Sequence, residues 1–282
     1  MNIIEAIILG IIQGITEFLP ISSTGHLTIT GKLMNIISSD HPEHWTAFIA
    51  VIQLGTLIAV LIFFRNDLLL IVKDFLSDNI FNRKNFSEQT INSKMGWYLV
   101  IATIPVAVIG LGFKDIIEGV LTKNLYVIAA SLIILAIILT TAEKFGKFKR
   151  ETKDIKWYDA LIIGIAQSFA LIPGSSRSGT TITAGLFLGL KRETAARFSF
   201  LMSIPAVAAS GLLEFYQSLK YIHSAEMINL IVATIFSAFV GYISIEFLLR
   251  YLKKNSTFIF IIYRVIVGII ILLLLSKDIL QP

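Results

Sequence analysis

Three ionisable side chains stand where an apolar chain has little use for them. Glu17 and His26 fall in Thr16-Glu17-Phe18-Leu19-Pro20-Ile21-Ser22-Ser23-Thr24-Gly25-His26, and Arg177 falls in Pro173-Gly174-Ser175-Ser176-Arg177-Ser178-Gly179-Thr180-Thr181. In the first segment Pro20 stops an incoming apolar arm. Ser22 or Ser23 can then N-cap an outgoing helix whose apolar pattern starts at Leu27. The second segment repeats the device, with Ser175 or Ser176 as cap and Arg177 in the first turn, where a cation opposes the helix dipole. Two helix N-termini with free N–H groups, several hydroxyls and a guanidinium fork together suit a phosphate or pyrophosphate.

A packing role is the competing reading. Ser, Thr and Gly commonly pack membrane helices, so either polar segment alone reads as structural. Charge at depth is different, because an ionisable side chain at the bilayer centre costs about 2.5 to 3.5 kcal/mol on insertion scales. A Glu17 to Arg177 ion pair would account for two of the charges by joining the segments. His26 and the surplus hydroxyls argue for a reaction centre instead. Gln13, Gln53 and Gln167 lie inside apolar runs, either as donors to the site's side chains or as interhelical glue. Arg264 is close enough to the end of its apolar run to snorkel, and Glu214 and Glu246 also sit near span ends. His41 and His44, three apart in a loop, lack a third ligand type and make a weak metal pair.

The elements that must carry these residues follow from composition. The 282-residue chain is 55% hydrophobic and only 15% charged, with a mean hydropathy of +0.79, which belongs in a bilayer. Crossing about 30 Å of hydrocarbon takes roughly 20 apolar residues, and backbone in lipid must bond internally. Runs at 45–64, 94–113, 124–143, 194–216, 226–249 and 258–276 meet that length and are too long for barrel strands, so the fold class is an all-α polytopic membrane protein. Only Glu5 is charged ahead of the first polar segment, without the basic start of a secretory leader, so Met1 onward is read as mature chain. The absence of cysteine removes thiolate and disulfide chemistry. Basic residues confined to short loops fit the positive-inside rule, so the net charge of +5 does not signal nucleic acid.

Residues 2–37 and 157–190 are each two short apolar arms interrupted by Pro, Gly and Ser, the pattern of a re-entrant hairpin. They also match each other: Ala6 to Gln13 aligns with Ala160 to Gln167, and Pro20, Ser22, Ser23 and Gly25 follow in step with Pro173, Ser175, Ser176 and Gly179. A single membrane domain over 1–282 therefore divides into repeats of about 1–150 and 151–282, each a hairpin plus three helices. Three crossings is an odd number, so the second repeat enters from the opposite side as an inverted-topology repeat. One set of loops holds seventeen Lys and Arg, from Arg65 to Lys254. The alternate set holds five, Lys32, Lys114, Lys123, Lys220 and Lys277. The first set is expected in the cytoplasm and both termini outside, with the first hairpin entering from outside and the two tips meeting near the midplane.

The stretch from Gln13 through His26 and the stretch from Pro173 through Gly179 closely resemble the two signature motifs of the undecaprenyl-diphosphate phosphatase family, also called bacitracin-resistance proteins. The similarity covers essentially the whole chain, including Gln53-Leu54-Gly55 and Ile104-Pro105. The resemblance implies a bacterial plasma-membrane enzyme that removes the terminal phosphate of undecaprenyl diphosphate. It would thereby recycle the carrier lipid of peptidoglycan and confer bacitracin resistance. By motif position it implies Glu17, Ser23, His26 and Arg177 as the catalytic centre. Ser22, Thr24, Ser175, Ser176, Ser178 and Thr181 would contact phosphate, with Gln13 and Gln53 behind them. It further implies a divalent cation, Mg²⁺ or Ca²⁺, held in part by Glu17. Gln13 stands where many members carry the first Glu of a Glu-x-x-x-Glu pair, and Ser175 where Thr is frequent.

Phosphoryl transfer is mostly positioning and charge stabilisation, for which Arg177 and the helix N-termini serve. Three nucleophiles stay open: Ser23 with His26 as base at i, i+3, His26 itself, or water activated by His26 or Glu17. Inverted repeats with midplane tips are also a transport architecture, so a transporter or flippase of undecaprenyl phosphate is the alternative. The oligomeric state, a homodimer included, is left open.

Overall fold

The computed structural model describes residues 1–37, 42–112, 124–218 and 224–281. His41, the His44 side chain, Lys114, Lys123 and Lys220 lie outside the described residues. The helices are α1 (Ile3–Phe18), α2 (Ser23–Leu33), α3 (Pro42–Phe63), α4 (Arg65–Leu76), α5 (Ile91–Gly112), α6 (Leu125–Phe145), α7 (Trp157–Ser168), α8 (Arg177–Phe187), α9 (Arg192–Ser218), α10 (Ser224–Leu252) and α11 (Phe258–Ser276). No strand occurs among the described residues, only an isolated bridge between Arg150 and Leu190. Six helices, α3, α5, α6, α9, α10 and α11, are long and apolar enough to cross a membrane. They fall on the six expected spans. The all-α polytopic fold class is thus borne out.

The short helices pack across the chain rather than beside their sequence neighbours. The first arm, α1, lies along α10, whereas the corresponding arm α7 lies along α5; α3 packs on α9 and α6 on α11. Two aligned glycines permit the arm contacts. A Cβ on Gly10 would overlap the carbonyl of Ala233, and one on Gly164 would overlap the carbonyl of Ala102. Only a residue without a side chain lets backbones approach so closely, as small residues do in membrane helix pairs. Around these contacts Phe18, Phe64 and Phe200 are among the largest fully buried side chains. Phe18 meets Phe200 edge-on at 5.1 Å between ring centres. By contrast Ile104, Val108, Ile235 and Phe239 stand more than half exposed, as lipid-facing residues must.

The connector between α3 and α5 is an amphipathic element held by polar contacts. Buried Asp78 takes Lys84 at 2.7 Å and the Thr90 N–H at 2.8 Å. Asn79 accepts from Gln89 at 2.9 Å and from the Trp97 indole at 3.0 Å. At the same end of the bundle Arg150 pairs with the fully buried Asp159 and donates to the Leu188 carbonyl at 2.9 Å, tying the loop after α6 to the second hairpin. Arg192 pairs with Glu143, whose other oxygen accepts from Thr257 at 2.8 Å.

Candidate functional site

Each polar segment turns at a serine with left-handed backbone. Ser22 has φ 78° and Ser176 φ 70°, a region that costs non-glycine residues roughly 1–3 kcal/mol and persists only where the surroundings impose it. From that conformation each caps the helix it starts: Ser22 Oγ accepts from the Gly25 N–H at 3.2 Å and Ser176 Oγ from the Gly179 N–H at 3.1 Å. Of the two caps open at each tip in the sequence, these are the ones used. The cap takes the third N–H of each helix. The first two, of Ser23 and Thr24 and of Arg177 and Ser178, precede any intrahelical acceptor.

Glu17, at the end of α1, gathers the site. Its Oε2 accepts from Ser23 Oγ at 2.8 Å and Gln13 Nε2 at 3.1 Å. Its Oε1 accepts from Arg177 Nη2 at 2.9 Å and Gln53 Nε2 at 3.1 Å. The ion pair that the packing reading raised between the segments exists, and one charge and three neutral donors compensate a carboxylate only 6% exposed. Gln13 and Gln53 thereby appear as donors to Glu17. Arg177 Nη1 also reaches the Ser199 carbonyl at 3.4 Å, while its Nε has no partner among the described residues.

A cavity of about 440 Å³ opens above this cluster. Its polar floor is Glu17, Ser22, Ser23, Thr24, Gln53, Ser176 and Arg177, and its walls are mostly apolar side chains of α5, α9 and the turn after α7, with Thr103, Gln167, Ser210 and Glu214 among them. Not every expected residue faces it. Ser178 is fully buried and donates to the Leu19 carbonyl at 3.0 Å, joining the second tip to the first. Thr181 is bonded to Ser199 Oγ at 2.6 Å and to the Arg177 carbonyl at 2.8 Å, and buried Ser175 also stays outside the lining.

His26 lies outside the cavity lining as well. Its Nδ1 is 2.7 Å from the Ser22 carbonyl, which can only accept, so Nδ1 carries a hydrogen; Nε2 is then the atom that meets the Tyr263 hydroxyl at 2.7 Å. The imidazole holds the cap turn and does not bond Ser23. The shared helix face at i, i+3 did not put the two polar atoms together, because each has a nearer partner.

Arg264 overturns one expectation. Instead of snorkelling it is 1% exposed and spreads its guanidinium over backbone carbonyls: Pro20 at 3.1 Å, Ser175 at 3.1 Å, Gly174 at 3.4 Å, and Leu132 and Ser131 of α6 at 3.2 and 3.4 Å. Turn carbonyls at both tips lack helical donors, and a buried guanidinium supplies them. No periodic signal marks such a residue; the signal was an arginine several residues inside an apolar run.

The family profile described as Bacitracin resistance protein BacA matches residues 6–270. The chain belongs to that family. A protein of Syntrophobacter fumaroxidans named undecaprenyl-diphosphatase is 58% identical over 95% of both chains. Proteins of the same name from Chloroherpeton thalassium and Chlorobaculum parvum are 53% and 48% identical, over 98% and 100% of both chains. For the BacA family member described here, six apolar helices and this membership mean a multi-pass membrane protein.

The donor set does not suit a divalent ion held by protein alone. Both Glu17 oxygens already face four donors, one of them cationic. Among the described residues no three His, Asp or Glu side chains gather, whereas hard cations need six or more oxygens.

Proposed function

We propose that the protein is an undecaprenyl-diphosphate phosphatase, releasing the terminal phosphate of the carrier lipid, and that Ser23 is the nucleophile with Glu17 as its base. Relatives of that name align end to end at 48–58% identity. The observation that carries the mechanism is the Ser23 Oγ to Glu17 Oε2 hydrogen bond at 2.8 Å on the cavity floor. The polar floor would hold the diphosphate and the apolar walls the start of the prenyl chain.

Ser23 Oγ attacks the terminal phosphorus and gives its proton to Glu17. A P–O bond to serine forms as the bond to the bridging oxygen breaks, and the electron pair leaves on the lipid monophosphate. Once Glu17 has passed that proton to the departing lipid phosphate, water attacks the phosphoserine; Glu17 takes a proton from the water and returns it to Ser23 Oγ as the Ser23 to phosphorus bond breaks and phosphate departs. Arg177 and the first N–H groups of α2 and α8 stabilise the charge on the transferring group. His26 fixes the turn that aims Ser23. The Mg²⁺ or Ca²⁺ expected from the resemblance would arrive on the diphosphate's own oxygens, and none of these steps is routed through it.

We further read the architecture as an inverted repeat of hairpin plus three helices, supported by the reciprocal packing of α1 on α10 and α7 on α5. The cavity walls include Gly110, Leu111 and Leu213 near the ends of α5 and α9. Lys94 and Arg192 lie at the opposite ends of those helices, so the positive-inside rule turns the cavity to the external face of the plasma membrane and puts both termini outside.

The test is phosphate release from undecaprenyl diphosphate by the purified protein in detergent, with and without chelator. Release by the wild type, loss with Ser23→Ala, and a phosphoserine at position 23 in quenched samples are the expected results. No release by the wild type would favour a transporter of the lipid phosphate. Turnover near normal in Ser23→Ala would remove the serine nucleophile.

A further inference from the structure

One buried polar group in the cavity wall has no use in these steps. Gln167, in the last turn of α7, is 1% exposed, lines the cavity, and neither atom of its amide has a hydrogen-bond partner among the described residues. A buried amide left unpaired costs about 1–3 kcal/mol, and native proteins keep few of them. The aligned glutamine of the first hairpin, Gln13, has its donor paired: its Nε2 donates to Glu17, four residues on in the same helix, while its Oε1 has no partner among the described residues. Four residues after Gln167 the chain has Leu171. The first hairpin thus carries its own anionic acceptor, and the second has lost it just where the cavity lies.

We propose that Gln167 is a further substrate-binding residue, its amide N–H donating to the phosphate of the diphosphate that stays on the lipid. The position favours that phosphate. The terminal one is claimed by Ser23, Glu17 and Arg177. Gln167 is followed instead by Ala170, Leu171 and Ile172, which belong to the apolar wall. A donor between floor and wall meets the headgroup where phosphate gives way to prenyl chain. A donor there also stabilises the leaving oxygen as charge develops on it.

The inference rests on the phosphatase reading, which phosphate release by the wild-type chain tests separately. In a wild type that does release phosphate, Gln167→Met keeps the volume and removes both polar atoms. The variant is expected to melt at the wild-type temperature or above, because no internal bond is lost. Its KM for farnesyl diphosphate should rise about 10- to 100-fold, the loss of one hydrogen bond to a charged group. Competitive inhibition by farnesyl phosphate should weaken by a similar factor, with inhibition by inorganic phosphate unchanged. A variant that unfolds or melts several degrees lower shows an internal partner and overturns the proposal. So does an unchanged KM. Weakened inhibition by inorganic phosphate with unchanged farnesyl phosphate inhibition overturns the assignment to the lipid-side phosphate.

Discussion

Arg264→Met is the most informative single change away from the cavity. The carbonyls of Leu132 and Ser131 lie in the middle of α6 and keep their helical N–H donors when the guanidinium goes. Those of Pro20, Gly174 and Ser175 lie in the turns, accept from no backbone N–H among the described residues, and would be stranded. Three stranded acceptors cost up to about 1–3 kcal/mol each, the longest contact, to Gly174, the least. Part of that is returned because a guanidinium need no longer be desolvated, a cost of several kcal/mol for an isolated ion. The net expectation is a loss of roughly 2–4 kcal/mol, within the range of a broken buried network. The effect on activity should exceed the effect on folding. Pro20 and Ser175 belong to the turns that aim Ser23 and Arg177, and misplacing reacting groups by about 1 Å costs on the order of 100-fold. Phosphate release under saturating substrate and thermal unfolding in the same detergent measure the two effects. Arg264→Lys keeps the charge but not the fork, and should fall between. If Arg264→Met kept kcat within twofold and melted with the wild type, the idea that this arginine sets both tips would be refuted.

Glu17→Gln keeps the shape of the cluster and removes its base, so kcat should fall by about 10²- to 10⁴-fold; a fall of less than tenfold would show that Glu17 does not take the proton. Gly164→Ala should destabilise by about 1–3 kcal/mol, since its methyl meets the Ala102 carbonyl, and Gly10→Ala should do likewise against Ala233; unchanged melting temperatures would contradict the close approach. Lys84 and the Thr90 N–H hold the Asp78 carboxyl below its usual range. Its contribution to stability is therefore present above the ordinary aspartate pKa of about 3.9 and is lost as pH falls through the lower folded value. Melting curves of the wild type should drop more steeply than those of Asp78→Asn as pH is lowered through that window, and parallel curves would argue against the contact.

Helix positions were readable because apolar run length alone decides what can cross a bilayer, and all six spans were found from it. The tips were readable for a related reason: Pro20, the serine pairs and charges inside apolar sequence are too costly to be incidental. Glu17 and Arg177 were legible as charges at the two tips, although their pairing stood only within the competing, structural reading. The fate of Arg264 was another matter. Its depth in an apolar run is a property of the sequence, but the acceptors that hold it come from three separate segments, 89 to 244 residues away. The same limit applied to His26, whose spacing suggested Ser23 and whose actual partner is Tyr263, 237 residues on.

What the sequence by itself determined is the inventory: six spans, two interrupted hairpins, and the acid, hydroxyls and guanidinium that phosphoryl chemistry requires. Periodicity, run length and the cost of burying charge are local properties, and they act along the chain. Only the tertiary structure decided the pairing: Glu17 and not His26 beside Ser23, Thr181 turned inward, Arg264 on the tip carbonyls, and Gln167 at the cavity wall without a partner among the described residues. Hydrogen bonds of about 3 Å are settled by which distant atoms packing brings within reach, and a glutamine in an apolar run looks the same whether a carboxylate or an empty pocket awaits it.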